Sequence, residues 1–178
     1  MKFTKLLAST IAVASVVLSA GIASAQDVPT QEAATLGMKG SYIGAGVSAG
    51  VTNGGRQNDA ALLGGNVQGR VAVPNAPVSV RGSVLFGGDS TAIMPILTYD
   101  APIAKNTNVY IGGGYSFLTD EGQASQLGNK NAPVLTLGAE SEVAKNTVIY
   151  GDAKWGIDAY EGSNSDALSL QAGVGYRF

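Results

Sequence analysis

The chain has neither cysteine nor histidine. Without cysteine there is no disulfide framework and no thiolate metal site. Without histidine, Ser/His/Asp and Cys/His catalytic arrangements and imidazole metal ligation are excluded in one step. Charge is also sparse, at 13% of 178 residues, and the thirteen acidic side chains outnumber the eleven basic ones, so no basic surplus exists for a nucleic-acid partner. After the first 25 residues no apolar run is long enough for a membrane-crossing helix, which excludes a helical membrane protein. A transmembrane barrel stays open, because its strands alternate apolar and polar residues and dilute the hydropathy signal. No cofactor, metal or catalytic residue set is expected.

What is present begins with a leader. Lys2 and Lys5 form a short basic region, Leu6 to Ala20 is an apolar run too short to span a bilayer comfortably, and Ala23, Ser24, Ala25 offer a small-residue cleavage site. The sequence predicts a cleaved signal peptide over 1–25, the alternative being an uncleaved anchor. Residues 26–39 then read as a periplasmic lead-in, and 40–178 as one domain.

Period-2 alternation marks eight candidate strands: Tyr42–Val51, Asn66–Val73, Val78–Phe86, Ile93–Asp100, Val109–Phe117, Val134–Val143, Val148–Ile157 and Leu168–Phe178. The connections around Pro74–Pro77, Ala101–Asn108 and Ala144–Thr147 are mostly short. Those around Asn53–Gly65, Leu118–Pro133 and Asp158–Ala167 are long, with Gly87–Ser90 a short link on the long side. The tetrapeptide Ala104, Lys105, Asn106, Thr107 recurs as Ala144, Lys145, Asn146, Thr147, which reads as a reused turn entering an ascending strand. With strand faces set by Val71, Val80, Leu137, Ile149, Ala153 and Trp155, the charged residues Arg70, Arg81, Asp100, Glu140, Glu142, Asp152, Lys154 and Arg177 all fall on the opposite face. Tyr42, Tyr110 and Tyr150 also point inward and are expected to fill the lumen, each with a hydroxyl partner.

The final strand alternates Leu168, Leu170, Ala172, Val174, Tyr176 and Phe178 with small or polar residues, and the sequence stops on Phe178. Gln171, Gly173, Tyr176 and Phe178 fill the four defined positions of a pattern that resembles the C-terminal assembly signal of bacterial outer-membrane barrels. Over Tyr42–Phe178 the chain resembles the small eight-stranded outer-membrane barrels, the group that includes the transmembrane domain of outer-membrane protein A, the X-type proteins and the opacity-type proteins. That resemblance implies an all-β, eight-stranded antiparallel up-and-down transmembrane barrel in a Gram-negative-type outer membrane. It implies insertion by the barrel-assembly machinery and contact with outer-membrane lipid and lipopolysaccharide. It implies no single activity. A non-enzymatic monomer is expected.

In such a barrel the second and third strands face the sixth and seventh, and the interior is only wide enough for side chains to fill. Arg70 and Arg81 on one wall face Glu140, Glu142 and Asp152 on the other, and counting from the short turns puts Arg70, Arg81, Glu140 and Asp152 at nearly the same height, so a salt-bridge plug is expected there, with Lys154 above and Arg177 and Asp100 below. Gly44, Gly46, Ser48, Gly112, Gly114, Gly138 and Gly173 suggest either a wet vestibule above that plug or relief of crowding around tyrosine rings. Two functions follow: a structural or surface-presenting barrel with a closed lumen, or a narrow porin-like channel for ions or small solutes.

Overall fold

The computed structural model describes residues 36–52 and 62–178. The leader at 1–25, all but the end of the lead-in at 26–39, and part of the first long connection lie outside the described residues. Eight strands form: β1 (Tyr42–Gly50), β2 (Leu62–Ala72), β3 (Val78–Phe86), β4 (Ala92–Ala104), β5 (Thr107–Leu118), β6 (Ala132–Ala144), β7 (Thr147–Gly156) and β8 (Ala167–Arg177). Each pairs antiparallel with the next and β8 pairs with β1, closing the barrel.

Alternation along each strand sends one set of side chains to the outer face and the other into the lumen. The outer set includes Ile43, Val67, Val71, Val80, Leu97, Ile111, Leu137, Ile149 and Val174, all exposed. Phe86, Tyr99, Tyr115, Phe117, Trp155, Tyr176 and Phe178 join them near strand ends. A surface this apolar suits a bilayer rather than water, with the aromatic side chains at the two rims.

Following the pairing from Tyr42 through Arg70, Arg81, Ile96, Gly114, Val134 and Gly156 leads to Ala167. Because Ser169 faces Gly50, Ala167 comes level with Thr52, two residues past the end of β1, a stagger of ten residues around the ring (52 − 42). The strands are therefore tilted, and residues equally far from their own turns do not share a height.

The recurring tetrapeptide makes the same turn twice. Ala104 pairs with Thr107 and Ala144 with Thr147, each after a register shift in the preceding strand. Asn106 and Asn146 adopt φ of 59° and 60°, a left-handed conformation that asparagine tolerates better than most residues. The Thr107 and Thr147 hydroxyls donate to the Lys105 and Lys145 carbonyls at 3.3 and 3.5 Å. These turns are tighter than the sequence suggested: β4 continues to Ala104 and β5 begins at Thr107, so only Lys105 and Asn106 lie between them. At the opposite end β2 begins at Leu62, which shortens the connection read as Asn53–Gly65.

Candidate functional site in the barrel lumen

Four buried charges meet near the end of the barrel that carries the short turns. Arg70 reaches Asp100 at 2.8 Å and Glu140 at 3.3 Å; Arg81 reaches Asp100 at 2.9 Å and Glu140 at 2.8 Å. Two cations and two anions thus form a closed ring across the lumen, from β2 and β3 to β4 and β6. The remaining donors and acceptors are occupied as well. Arg70 Nε donates to Ser79 Oγ at 2.8 Å, Arg81 Nε donates to Thr98 Oγ1 at 3.0 Å, and the Ser79 hydroxyl donates to Asp100. Each charge has given up water, and only this saturation of partners makes the burial tolerable.

Asp152 belongs to a second unit, not to the arginine ring. Lys154 Nζ lies 2.6 Å from Asp152 Oδ1, and the Tyr110 hydroxyl donates to Asp152 Oδ2 at 2.9 Å. The expectation that Arg70, Arg81, Glu140 and Asp152 share one level is therefore corrected. In the register, Asp152 faces Gly138, and Glu140 faces Tyr150, two residues nearer the turn. Asp100, expected below the plug, instead bridges both arginines, because β4 extends to Ala104 and lifts Asp100 away from its turn. Stacking links the two units: the Arg81 guanidinium carbon lies 3.6 Å from the centre of the Tyr110 ring.

The three inward tyrosines pack where glycine leaves room. A methyl group built on Gly138 would stand 2.5 Å from Tyr110 Cζ, one on Gly44 2.7 Å from Tyr150 Cε1, and one on Gly173 2.5 Å from Tyr150 Cζ. Each hydroxyl is bonded. Gln68 Nε2 donates to Tyr42 at 3.0 Å, and Tyr150 donates to Asn66 Oδ1 at 2.6 Å. Of the two readings of these glycines, ring packing describes Gly44, Gly138 and Gly173.

Glu142 and Arg177 lie apart from the central ring, paired with each other at 3.0 Å on the turn-side rim. There the end of the lead-in enters the mouth. Met38 is buried against Tyr42, Val148 and Tyr150. Asn108 holds it from both sides, accepting from the Met38 amide at 3.0 Å and donating to the Met38 carbonyl at 2.8 Å. Arg70 Nη1 donates to the Gly40 carbonyl and Arg177 Nη1 to that of Lys39, both at 3.0 Å. Asn108→Ala is expected to lose about 1–2 kcal/mol of this attachment. Limited trypsin treatment should then cut after the exposed Lys39 several-fold faster than in the unaltered chain, with the strands still protected.

The opposite mouth is closed by apolar side chains. Leu85, Ala92, Met94, Ile96, Ala132, Val134 and Ala167 point inward at the loop end of the barrel. Leu127, from the connection between β5 and β6, is inserted among them and completely buried. Gln126 Nε2 donates to the Phe86 carbonyl at 2.8 Å, and the Asn129 amide donates to the Ala159 carbonyl at 2.9 Å, which ties that loop to its neighbours. Among the described residues the vestibule expected above the plug is thus covered at this mouth rather than open. The upper part of β4 is apolar on both faces, and the loop supplies the residue that completes the layer.

A family model for the outer membrane protein beta-barrel domain matches residues 12–178. The chain belongs to that family. Solved structures with the same fold include neisserial surface protein A, at 16% identity with a TM-score of 0.53, covering 79% of this chain and 98% of that one. The attachment invasion locus protein Ail of Yersinia pestis is 19% identical with a TM-score of 0.51, covering 79% and 100%. A designed transmembrane β-barrel is 14% identical with a TM-score of 0.54, covering 81% and 100%. At these identities the likeness is one of fold. No curated protein sequence matches the chain.

Within this outer-membrane barrel the sequence-derived site residues fall into three places. Arg70, Arg81 and Glu140 make the central ring, Asp152 and Lys154 the pair beside it, and Glu142 and Arg177 the rim. Of the C-terminal pattern, Gln171 is buried in the lumen, Gly173 lies against Tyr150, and Tyr176 and Phe178 are exposed on the lipid-facing side. Sequence reasoning missed Asn108, Met38 and Leu127 as parts of the site. Leu127 is a single apolar residue in a polar connection, and Met38 lies ahead of the first strand, outside the span read for alternation.

Proposed function

We propose that this outer-membrane barrel is non-catalytic and non-conducting, and that it serves a structural or surface-presenting role with its long loops outside. The observation that carries this reading is the succession of three closures along one axis. Met38 occupies the turn-side mouth, the ring of Arg70, Arg81, Asp100 and Glu140 crosses the lumen, and Leu127 with its apolar neighbours covers the loop side. A solute would have to displace all three. Breaking the ring would strip paired charges of their partners where water is excluded, which makes thermal opening rare.

On this reading the short turns and the lead-in are periplasmic, as expected of small outer-membrane barrels with both ends on that side. The leader at 1–25 is removed on export. The pattern Gln171, Gly173, Tyr176, Phe178 addresses the barrel-assembly machinery, and the finished protein is a monomer in contact with lipid and lipopolysaccharide. The deciding measurement is single-channel recording of the purified mature chain in planar bilayers. A flat trace without discrete steps is expected. Reproducible unitary openings would replace this reading with that of a narrow porin-like channel.

A further inference from the structure

The two ends of the barrel differ in charge in a way that the lumen does not explain. At the turn end, Lys39, Lys105 and Lys145 are exposed, and among the described residues none of the three makes an ion pair. The acidic side chain on that rim, Glu142, is already matched by Arg177. At the loop end, Asp89, Asp120, Glu121, Asp158, Glu161 and Asp166 outnumber Lys130, which is bound to Asp158 at 2.9 Å.

Lys105 and Lys145 occupy equivalent corners of the repeated turn, fixed by the same asparagine conformation and the same threonine contact. Lys105 is held further by bridges to Leu36 and Gly37 of the lead-in. Two residues before each lysine an apolar side chain points outward: Ile103 and Val143 are each 56% exposed. Tyr176 and Phe178 continue that apolar border around the same rim. Outward apolar side chains followed by a lysine at the tip of the turn place the ammonium groups just past the hydrocarbon, at the level of lipid headgroups.

We propose that Lys105 and Lys145, with Lys39 beside them, form a binding surface for the headgroups of anionic phospholipids in the periplasmic leaflet. This rests on the orientation proposed above. The occupant is lipid rather than a soluble anion because the lysines border the membrane-facing surface and stand outside the lumen. Two rigid turns present charge at a fixed height, and a phosphate diester carrying a net negative charge is matched there where a zwitterionic headgroup is not. Attraction of this kind is screened as salt rises.

The test is native mass spectrometry of the refolded mature chain in detergent, titrated with phosphatidylglycerol or phosphatidylcholine of identical acyl chains. Phosphatidylglycerol is expected to bind about tenfold more tightly. The K105Q/K145Q variant should lower phosphatidylglycerol binding toward the phosphatidylcholine level, and K130Q at the other rim should leave it unchanged. Equal binding of the two lipids by the unaltered chain, or unchanged selectivity in K105Q/K145Q, overturns the proposal. Heat-modifiable gel migration is followed in every sample. Its absence from the unaltered chain would overturn the barrel reading itself, and its persistence confines any failure to the lysine surface.

Discussion

Arg81→Ala should destabilise the folded barrel by about 3–5 kcal/mol, a loss typical of breaking a buried ion pair from one side. Arg81 touches both carboxylates of the ring, donates to Thr98 and to the Tyr42 hydroxyl, and covers the Tyr110 ring. Removing it leaves Asp100 and Glu140 sharing Arg70 alone, so two buried anions face one cation. The folded fraction as a function of urea, read by the heat-modifiable band on a gel, measures the loss. In planar bilayers the same variant should show ion leakage only to the extent that the Met38 and Leu127 closures yield. A variant as stable as the unaltered chain would mean that the ring is not a structural element of the lumen.

Gly46→Val should prevent the barrel from closing. Gly46 faces Gly173 at the seam where the first strand meets the last. A Cβ there would overlap the carbonyl oxygen of Ala172 and stand 2.5 Å from the Gly173 Cα. The obstruction is backbone, which cannot rotate aside as a flexible side chain could, and the second γ-carbon of valine adds to it. Losses above 4 kcal/mol come from a short set of causes, and overpacking of this kind is among them. Refolding into detergent micelles should give no heat-modifiable species. Gly82→Val is the matched control, since a Cβ on Gly82 meets nothing within 4 Å, and it should fold like the unaltered chain.

The barrel was legible in the sequence because its two faces have opposite chemistry. Val71 beside Arg70 and Val80 beside Arg81 fix the face of each strand without any knowledge of their partners. Height was less legible, because it depends on tilt. Counting residues from each turn assumes level strands and unbroken registers, whereas the strands are staggered, the β6–β7 register sets Asp152 two residues farther from the turn than Glu140, and the extension of β4 to Ala104 brings Asp100 between the arginines. The closures at the two mouths were not legible at all. Met38 lies ahead of the first strand and Leu127 within a long connection, and both act through where their segments fold back onto the mouths. Met94 and Ile96 were hidden for another reason: their strand is apolar on both faces, so alternation cannot tell a lumen layer from a lipid layer.

The loops that close the outer mouth also bind one another. Asp89 and Ser90 amides both donate to the Ala124 carbonyl at 3.1 Å, the amides of Asn129 and Lys130 converge on the Ala159 carbonyl, and the Tyr160 hydroxyl donates to the Thr52 carbonyl at 2.9 Å. With Leu127 anchored below, the connections after β3, β5 and β7, together with Thr52 at the end of β1, form a single interlocked surface among the described residues. With the long loops outside, as proposed, this face is one discontinuous epitope to an antibody or a phage receptor-binding protein. A synthetic peptide copied from any one loop would mimic it poorly, and a serum raised against the heat-denatured chain would not recognise it on cells.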